Sequence, residues 1–523
     1  MQRQAGLGIV LTDRDLLPLI VAHLNVGDRC TLRALNRDRL GLQLLDVFVD
    51  ASRLSPLRTT TLRADAVVAL CADRGPQLLA QAFPHVQHLL LRQCDEVDAD
   101  ALAAALQALL GSGGSWDPPL LPCLEELELL TQDEPCLPPA LGAALRGATQ
   151  LRALRLGYDL QEASDAEPLA GLVGLRSLVT GQAYNEHVLR AFIPALTGLT
   201  TLSFSLNDGL DGDIFAGLPN LVDLTARHAG ISVADLVHLR GLTSLSCSGL
   251  SDYDWAANAE ALGVIPGYDL PPGLRTCTFD FQYPECLPPL RGATPGQVEW
   301  DLTFPLQRGQ HYCEEDGSLL PATEAALCRC LSALAGHTAP DSQITLEVDG
   351  DLLKPVGGDE GVGPGRRNHV PWLQALGRSG VTHASLKGVA LSHQDLDALA
   401  SCSSLESLTF TSPTTYPASA LPRLSRLPSL ASLHLDCSGW VGGLHPGVPI
   451  NPPPTFAGAL LALCDVGRWG GRDRGLDVIL YYREELGEGV AAQMQELVEG
   501  LQEDLRGLGV DPTRLQLEAY GAD

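Results

Sequence analysis

The sequence predicts an α/β solenoid made of stacked strand-and-turn units, not a chain folded around one globular core, and three observations lead there. A phrase of the form Leu-x-x-Leu-x-Leu, with substitutions, recurs every twenty-odd residues through the middle of the chain. The segments between copies, such as 167–172 and 215–218, are too short for long helices and suit brief helical turns. Composition, with 45% hydrophobic and 19% charged residues, is that of a folded chain and argues against wholesale disorder. A length of 523 residues does not then imply several globular domains, because a repeat array grows without new cores.

The series opens at Val86, Leu89 and Leu91, with Cys94 closing that unit, and continues at Leu124, Leu127 and Leu129. Leu151, Leu154 and Leu156 follow 27 residues on; Leu175 with Leu178, then Leu199 with Leu202 and Phe204, each come 24 residues later. The spacing tightens to 22 at Leu221 and Leu224 and to 21 at Leu242, Leu245 and Cys247. Leu405, Leu408 and Phe410, then Leu430, Leu433 and Leu435, resume it near the C-terminus. In each copy the two residues of Leu-x-Leu lie on one side of a short strand, and the residues between and beside them face the other way. A single unit cannot bury its apolar side alone, so stability is a sum over neighbouring interfaces. At about 1.5 to 3 kcal/mol per fully buried Leu or Phe, the units gain enough only as a stack. From about residue 80 to the C-terminus the chain resembles leucine-rich-repeat proteins, and that resemblance implies a horseshoe with an inner parallel sheet.

Four segments are expected: helices over 1–60, regular repeats over 61–250, irregular Pro/Gly-interrupted repeats over 251–371, and repeats over 372–523 closed by a strand, a helix and a strand. Val67, Val68, Leu70, Leu78, Leu79 and Phe83 suggest a helical approach to the first strand. Ala99 to Leu110 reads as a helix ended at Gly111. In the irregular part the phrase survives as Leu274, Cys277 and Phe279, then Trp300, Leu302 and Phe304. Thr323 is placed to cap a helix carrying Leu327, Leu331 and Leu334, with Ile344, Leu346 and Val348 as the next strand. Two polar loops, 349–371 and 438–455, are rich in Gly and Pro. Leu476 to Tyr482, Glu484 to Leu508 and Leu515 to Tyr520 form the closing strand, helix and strand.

The first sixty residues lack the repeat. Thr12 and Asp15 suit a helix start, and Leu16, Leu17, Ile20 and Leu24 share one helical stripe, broken by Asn25-Val-Gly-Asp28; Leu32 and Leu35 recur on a second helix. This pattern is similar to the F-box, whose helices dock onto a Skp-type adaptor of a cullin-RING ubiquitin ligase. The resemblance implies Leu16, Leu17, Ile20, Leu24, Leu32 and Leu35 as the adaptor-binding residues. The chain departs from the family in having Thr12-Asp13 where Leu-Pro is usual, Asp38-Arg39 where a Trp is usual, and Pro18 inside the first helix. The alternative is that these helices only cap the first repeat, since solenoid ends need a terminal unit.

A net charge of −28 and the lack of any Lys/Arg cluster argue against a partner held mainly through phosphates, so neither nucleic acid nor an anionic membrane is expected. The fourteen cysteines are scattered, several of them (Cys94, Cys247, Cys277) at repeat core positions, so reduced buried thiols are expected. The start is too weakly apolar for a secretory signal, no run approaches a membrane span, and no asparagine begins an Asn-x-Ser/Thr sequon. An intracellular, cytoplasmic and soluble protein is the expectation. Gly361-Val-Gly-Pro-Gly365 lacks the Gly-Lys-Ser/Thr ending of a phosphate-binding loop, and Cys328-x-Cys330 lies on a helix with no second pair at metal-binding spacing. No hydrolase, metalloprotease or kinase motif appears, so neither enzyme activity nor a cofactor is expected.

The candidate binding surface is therefore the sheet face opposite the leucines, where alternate positions form side-by-side columns. It is named by His88, Arg92, Glu126, Glu128 and Arg155; by Thr201, Ser203, Asp223, Thr225 and Arg227; by Ser244, Ser246 and Thr278; and by His383, Lys387, Thr409, His434 and Asp436. About a dozen strands about 4.8 Å apart make a surface roughly 60 Å long, enough to receive a protein. Trp372, Trp440 and Trp469, near the two loops, are alternative anchors or else packing residues. Two functions fit: an F-box-like substrate receptor, or a scaffold of an intracellular cytoskeletal or ciliary assembly.

Overall fold

A computed structural model describes residues 59–83, 85–111, 119–133, 135–206, 210, 214–232, 236, 238–251, 271–280, 296–307, 319–349, 368–411, 414–436, 456–463, 476–483, 488–507 and 515–522. The F-box-like helices, most of both Gly/Pro loops, Trp440 and Trp469 lie outside these residues. The chain divides into two compact units, 1–229 and 230–523.

In the first unit the strands are β1 (Thr59–Arg63), β2 (His88–Arg92), β3 (Glu126–Leu130), β4 (Ala153–Leu156), β5 (Ser177–Ala183), β6 (Thr201–Leu206) and β7 (Asp223–Ser232), the last running just past residue 229. Each pairs in parallel with the next, and the register keeps repeat leucines abreast: Leu89 with Leu127, Leu127 with Leu154, Leu154 with Leu178, Leu178 with Leu202, Leu202 with Leu224. All are 2% exposed or less. Between the strands lie α1 (Ala64–Arg74), α2 (Pro76–Ala82), α3 (Ala99–Leu110), α4 (Pro139–Leu145), α5 (Ala163–Ala166) and α6 (Glu186–Arg190), with single 3-10 turns at Glu167–Gly171 and Ile193–Ala195.

The return path into each strand is a tight turn. In Leu172-Val-Gly-Leu175, Leu196-Thr-Gly-Leu199 and Leu218-Pro-Asn-Leu221 the last leucine N–H donates to the carbonyl of the first at 3.0, 3.0 and 3.2 Å. Both leucines of each pair are buried. The next backbone N–H donates to the preceding repeat, Arg176 to Arg152 O and Thr200 to Arg176 O at 2.7 and 2.8 Å, so the ladder starts before the strand does.

The second unit holds β8 (Ser244–Ser251), β9 (Thr276–Phe279), β10 (Glu299–Gln307), β11 (Gln343–Asp349), β12 (His383–Lys387), β13 (Ser407–Thr411), β14 (Ser432–Asp436), β15 (Leu476–Arg483) and β16 (Leu515–Ala522), paired in parallel in chain order. Among its described residues the helices are α7 (Pro321–Leu334), α8 (Val370–Ser379), α9 (His393–Leu399), α10 (Phe456–Leu463) and α11 (Glu488–Gly507), with a 3-10 helix at Ala418–Arg426. The core column Leu302–Ile344–Ala384–Leu408–Leu433–Val478 is at most 4% exposed. Both units are therefore leucine-rich-repeat solenoids of the α/β class, each with a continuous parallel sheet.

Two local expectations need correction, and one open alternative is resolved. A strand, β1, precedes the one at Leu89; its inward residue Thr60 pairs with Leu89 and is only 5% exposed, so a threonine fills a leucine's place and hides the phrase. Helix α7 is capped at Leu320 without a side-chain bond, Pro321 supplying the pre-set first turn, while Thr323 is buried inside it. Trp372 is 2% exposed, its Nε1 donating to His369 Nδ1 at 3.3 Å, so it packs the core and offers no anchor.

Helix α9 shows how polar groups lock one repeat to the next. The Asp395 N–H donates to Ser392 Oγ, Asp395 Oδ2 accepts from the Ser392 N–H at 2.8 Å, and Oδ1 accepts from the His369 N–H at 3.0 Å in the neighbouring repeat. The aspartate is fully buried. Asp395→Asn puts an NH2 against one of those two N–H donors and is expected to cost about 2 kcal/mol in a urea titration. An unchanged midpoint would contradict this reading.

Candidate functional site

Strand alternation sends every second side chain to the face opposite the leucines. In β6 and β13 buried and half-buried residues alternate without a break: Leu202 and Phe204, and Leu408 and Phe410, go inward, while Thr201, Ser203 and Ser205, and Ser407, Thr409 and Thr411, go outward. His88, Arg92, Glu126, Glu128, Arg155, Asp223, Thr225, Arg227, Ser244, Ser246, Thr278, His383, Lys387, His434 and Asp436 occupy the same outward positions, all half-buried or exposed. Parallel register then sets them in columns, for example Ser203 beside Thr225, and Thr278, Asp301, Gln343, His383, Ser407, Ser432 and Asp477 in line.

Some of these residues meet and others stand apart. In the first unit His88 Nε2 lies 2.8 Å from Glu128 Oε1 and Nδ1 3.8 Å from Glu126 Oε2, and Arg155 is 4.0 Å from Glu128. Leu90, Leu130 and Val179 also face outward there, giving a charged patch with apolar gaps. In the second unit Lys387 pairs with Glu347 across β11 and β12. His434 Nε2 lies 2.5 Å from Ser432 Oγ, and Nδ1 lies 3.1 Å from the Tyr481 hydroxyl, the two rings being 5.5 Å apart. Tyr481, Asp477, Glu299, Asp301, Gln343 and Glu347 were not among the residues named from sequence. The same alternation, applied to Glu299-Trp-Asp-Leu-Thr-Phe304, Gln343-Ile-Thr-Leu-Glu-Val348 and Leu476-Asp-Val-Ile-Leu-Tyr481, finds them.

Burial holds the His434 imidazole below its ordinary value of 6.5, an effect that nearby Asp477 opposes and His383 reinforces. Its neutral form is therefore favoured by folding. The corresponding stability is present above about pH 6.5 and is lost as pH falls through the lower, folded value. His434→Gln keeps a hydrogen-bonding side chain without the titration, so its stability is expected to fall less between about pH 7.5 and about pH 5.5 than that of the parent. Identical pH slopes in denaturant titrations would refute this.

The face offers hydroxyl, imidazole, carboxylate and cationic side chains on a fixed backbone. Ser432 beside His434 has the first elements of a nucleophile and base, but the backbone of β14 is committed to its ladders with β13 and β15, leaving its N–H groups unsuited to cradle an oxyanion. The described cysteines are all free thiols; Cys94, Cys247, Cys277, Cys330 and Cys402 are buried, and burial pushes Cys94 and Cys402 up to about 12. Cys330 is buried on α7 while Cys328, two positions earlier, is half-buried, and no group of three metal-binding side chains occurs among the described residues. Among those residues no helix is long and apolar enough to cross a membrane.

Comparison with protein-family models finds no match, and comparison with curated proteins finds none. Among solved structures the chain is similar to internalin C2 of Listeria monocytogenes str. 4b F2365, with 21% identity over 40% of this chain and 77% of that one and a TM-score of 0.23. It is similar to an internalin, InlF, of the same organism, with 14% identity, 64% and 82% coverage and a TM-score of 0.30. A leucine-rich-repeat protein of Bacteroides thetaiotaomicron VPI-5482 is 12% identical, with 69% and 41% coverage and a TM-score of 0.30.

Proposed function

We propose that this protein is a non-catalytic, intracellular protein-recognition solenoid that binds its partner on the open sheet face. The observation that carries the reading is the set of columns. Polar, half-exposed side chains stand side by side about 4.8 Å apart on strands whose backbones are fixed by pairing, so a partner meets a pre-ordered surface and little ordering entropy is lost. Ser385→Arg with Thr409→Arg places two bulky cations on adjacent strands of that surface. Quantitative co-purification from cells is expected to lose specific partners with this variant and keep them with Glu499→Arg on α11. Equal recovery with both would overturn the reading.

A second reading, supported by the residues from Leu16 to Leu35, is that the N-terminal segment binds a Skp-type adaptor and makes the chain an F-box-like substrate receptor. The full chain is then expected to capture the adaptor, and Leu24→Asp to abolish capture. No binding by the intact chain, or unchanged binding by the variant, would overturn it and leave the segment a cap.

A further inference from the structure

The open faces of the two units differ in charge. In the first, Glu126, Glu128 and Asp223 are balanced by Arg92, Arg155 and Arg227, and Glu128 already has the Arg155 guanidinium and the His88 ring beside it. In the second, Asp280, Glu299, Asp301, Glu347, Asp436 and Asp477 face outward, and Lys387 is the only described Lys or Arg on the outward positions from β9 as far as Tyr481 of β15, Arg483 following at the end of that strand. Lys387 is engaged by Glu347. Arg275 lies ahead of β9, outside the columns. Asp280, Glu299, Asp301 and Asp477 are exposed and have no ion pair among the described residues. The acidity of this face thus exceeds what the overall composition spreads over the molecule.

The acids also gather at two places. Asp280, Glu299 and Asp301 share β9 and β10, where partial burial and then the charge of Asp280 push the Asp301 carboxyl above its ordinary range. Asp436 and Asp477 lie on β14 and β15 four positions apart in register, Asp477 beside Ser432 and Asp436 beside Tyr481, and so bracket the paired rings of His434 and Tyr481. Between the two groups Thr303, Thr345, Ser385 and Thr409 form one unbroken column of hydroxyls. The five strand steps from β10 to β15 span about 24 Å, the reach of about seven residues of extended chain.

Building on the open face as the recognition surface, we propose that its second unit docks an extended basic polypeptide segment bearing two Lys/Arg clusters about seven residues apart. One cluster sits on Asp280, Glu299 and Asp301. The other sits on Asp436 and Asp477, with a cation over the Tyr481 ring, and the linking backbone hydrogen-bonds to the hydroxyl column. A cation at the first cluster relieves the repulsion already present among its carboxylates, so association is driven by charge and weakens with salt.

The test uses the full chain and synthetic fluorescent peptides read by anisotropy: two Arg-Lys pairs separated by seven Ser/Gly residues, and the same peptide with Glu-Asp pairs. The face variant is Glu299→Gln, Asp301→Asn and Asp477→Asn. Its control, Glu496→Gln, Glu499→Gln and Glu503→Gln on α11, removes the same charge from exposed positions elsewhere in that unit. All six are exposed, and equal melting curves confirm that folding is intact. The expected result is binding of the basic peptide, weakened about tenfold by the face variant and less than about twofold by the control. Equal weakening by both variants, or no binding of the basic peptide, overturns the proposal and leaves the open face as a protein-binding surface standing on its own test. If the acidic peptide alone binds and the face variant alters that binding, the basic partner is excluded while recognition through this face is upheld. Basic-peptide binding unaffected by the face variant counts against both.

Discussion

Phe304→Ala is expected to destabilise the second unit by about 4 kcal/mol in a urea or thermal titration. Phe304 lies on β10 with no measurable exposure, between Leu302 and Leu306, which are equally buried, and abreast of Leu346 on β11. Truncation removes the contacts of a whole ring at a place where neighbouring backbones are held by ladder bonds, so the hole cannot close. Because each repeat leans chiefly on its neighbours, the loss should also be local. Hydrogen exchange is expected to quicken most in β9 to β11, with the amides of β2 to β6 unchanged. A loss below about 1 kcal/mol would mean that the aromatic is not a packed core residue.

Gly388→Ala is expected to cost about 3 kcal/mol, combining backbone strain with overpacking. Gly388 ends β12 in the left-handed region, at φ 72°, and a methyl group there would stand 2.6 Å from the Val348 carbonyl oxygen and 2.9 Å from Val348 Cβ. Neither neighbour can give way, because Val348 is buried and its backbone is part of β11. Gly336, also at positive φ with nothing within 4 Å of its would-be methyl, separates the two contributions. Gly336→Ala should show only the strain of about 1 to 2 kcal/mol. Equal costs at both sites would show that the approach of β11 to the end of β12 is looser than described. The Gly388 change is also expected to disturb the Lys387–Glu347 pair one residue away, linking the turn to the face.

The architecture was legible because its signal is redundant. The Leu-x-Leu phrase recurs at nearly every strand from β2 to β14, and each copy reports both the strand and its inward side. Where one residue departs the signal fails, as at Thr60 in β1, although the backbone does not. In β5, Thr180 is buried where the phrase would have a leucine, and the register shifts between Val179 and Gln182. In β7 the strand runs on past Arg227 through His228, at φ 59°, to bury Ala229 and Ile231, an extension with no periodic cue.

The open face was legible only in part. Alternation identifies outward residues strand by strand, but which of them touch is decided by register between residues far apart in sequence. His88 meets Glu128 across 40 residues and His434 meets Tyr481 across 47, contacts that no local pattern encodes. The contrast in charge between the two units needed the irregular strands β10 and β15, where Pro305 and the aromatic run Tyr481-Tyr482 obscure the phrase.

Site-specific photo-crosslinking in cells bears most directly on the central claim that the open sheet face is where this protein recognises its partner. A photoreactive residue replacing Thr409, in the middle of the hydroxyl column, is expected to give discrete protein adducts, and one replacing Glu499 on the exposed side of α11 is expected to give none. Adducts from Glu499 alone, or the same adducts from both positions, would contradict the claim.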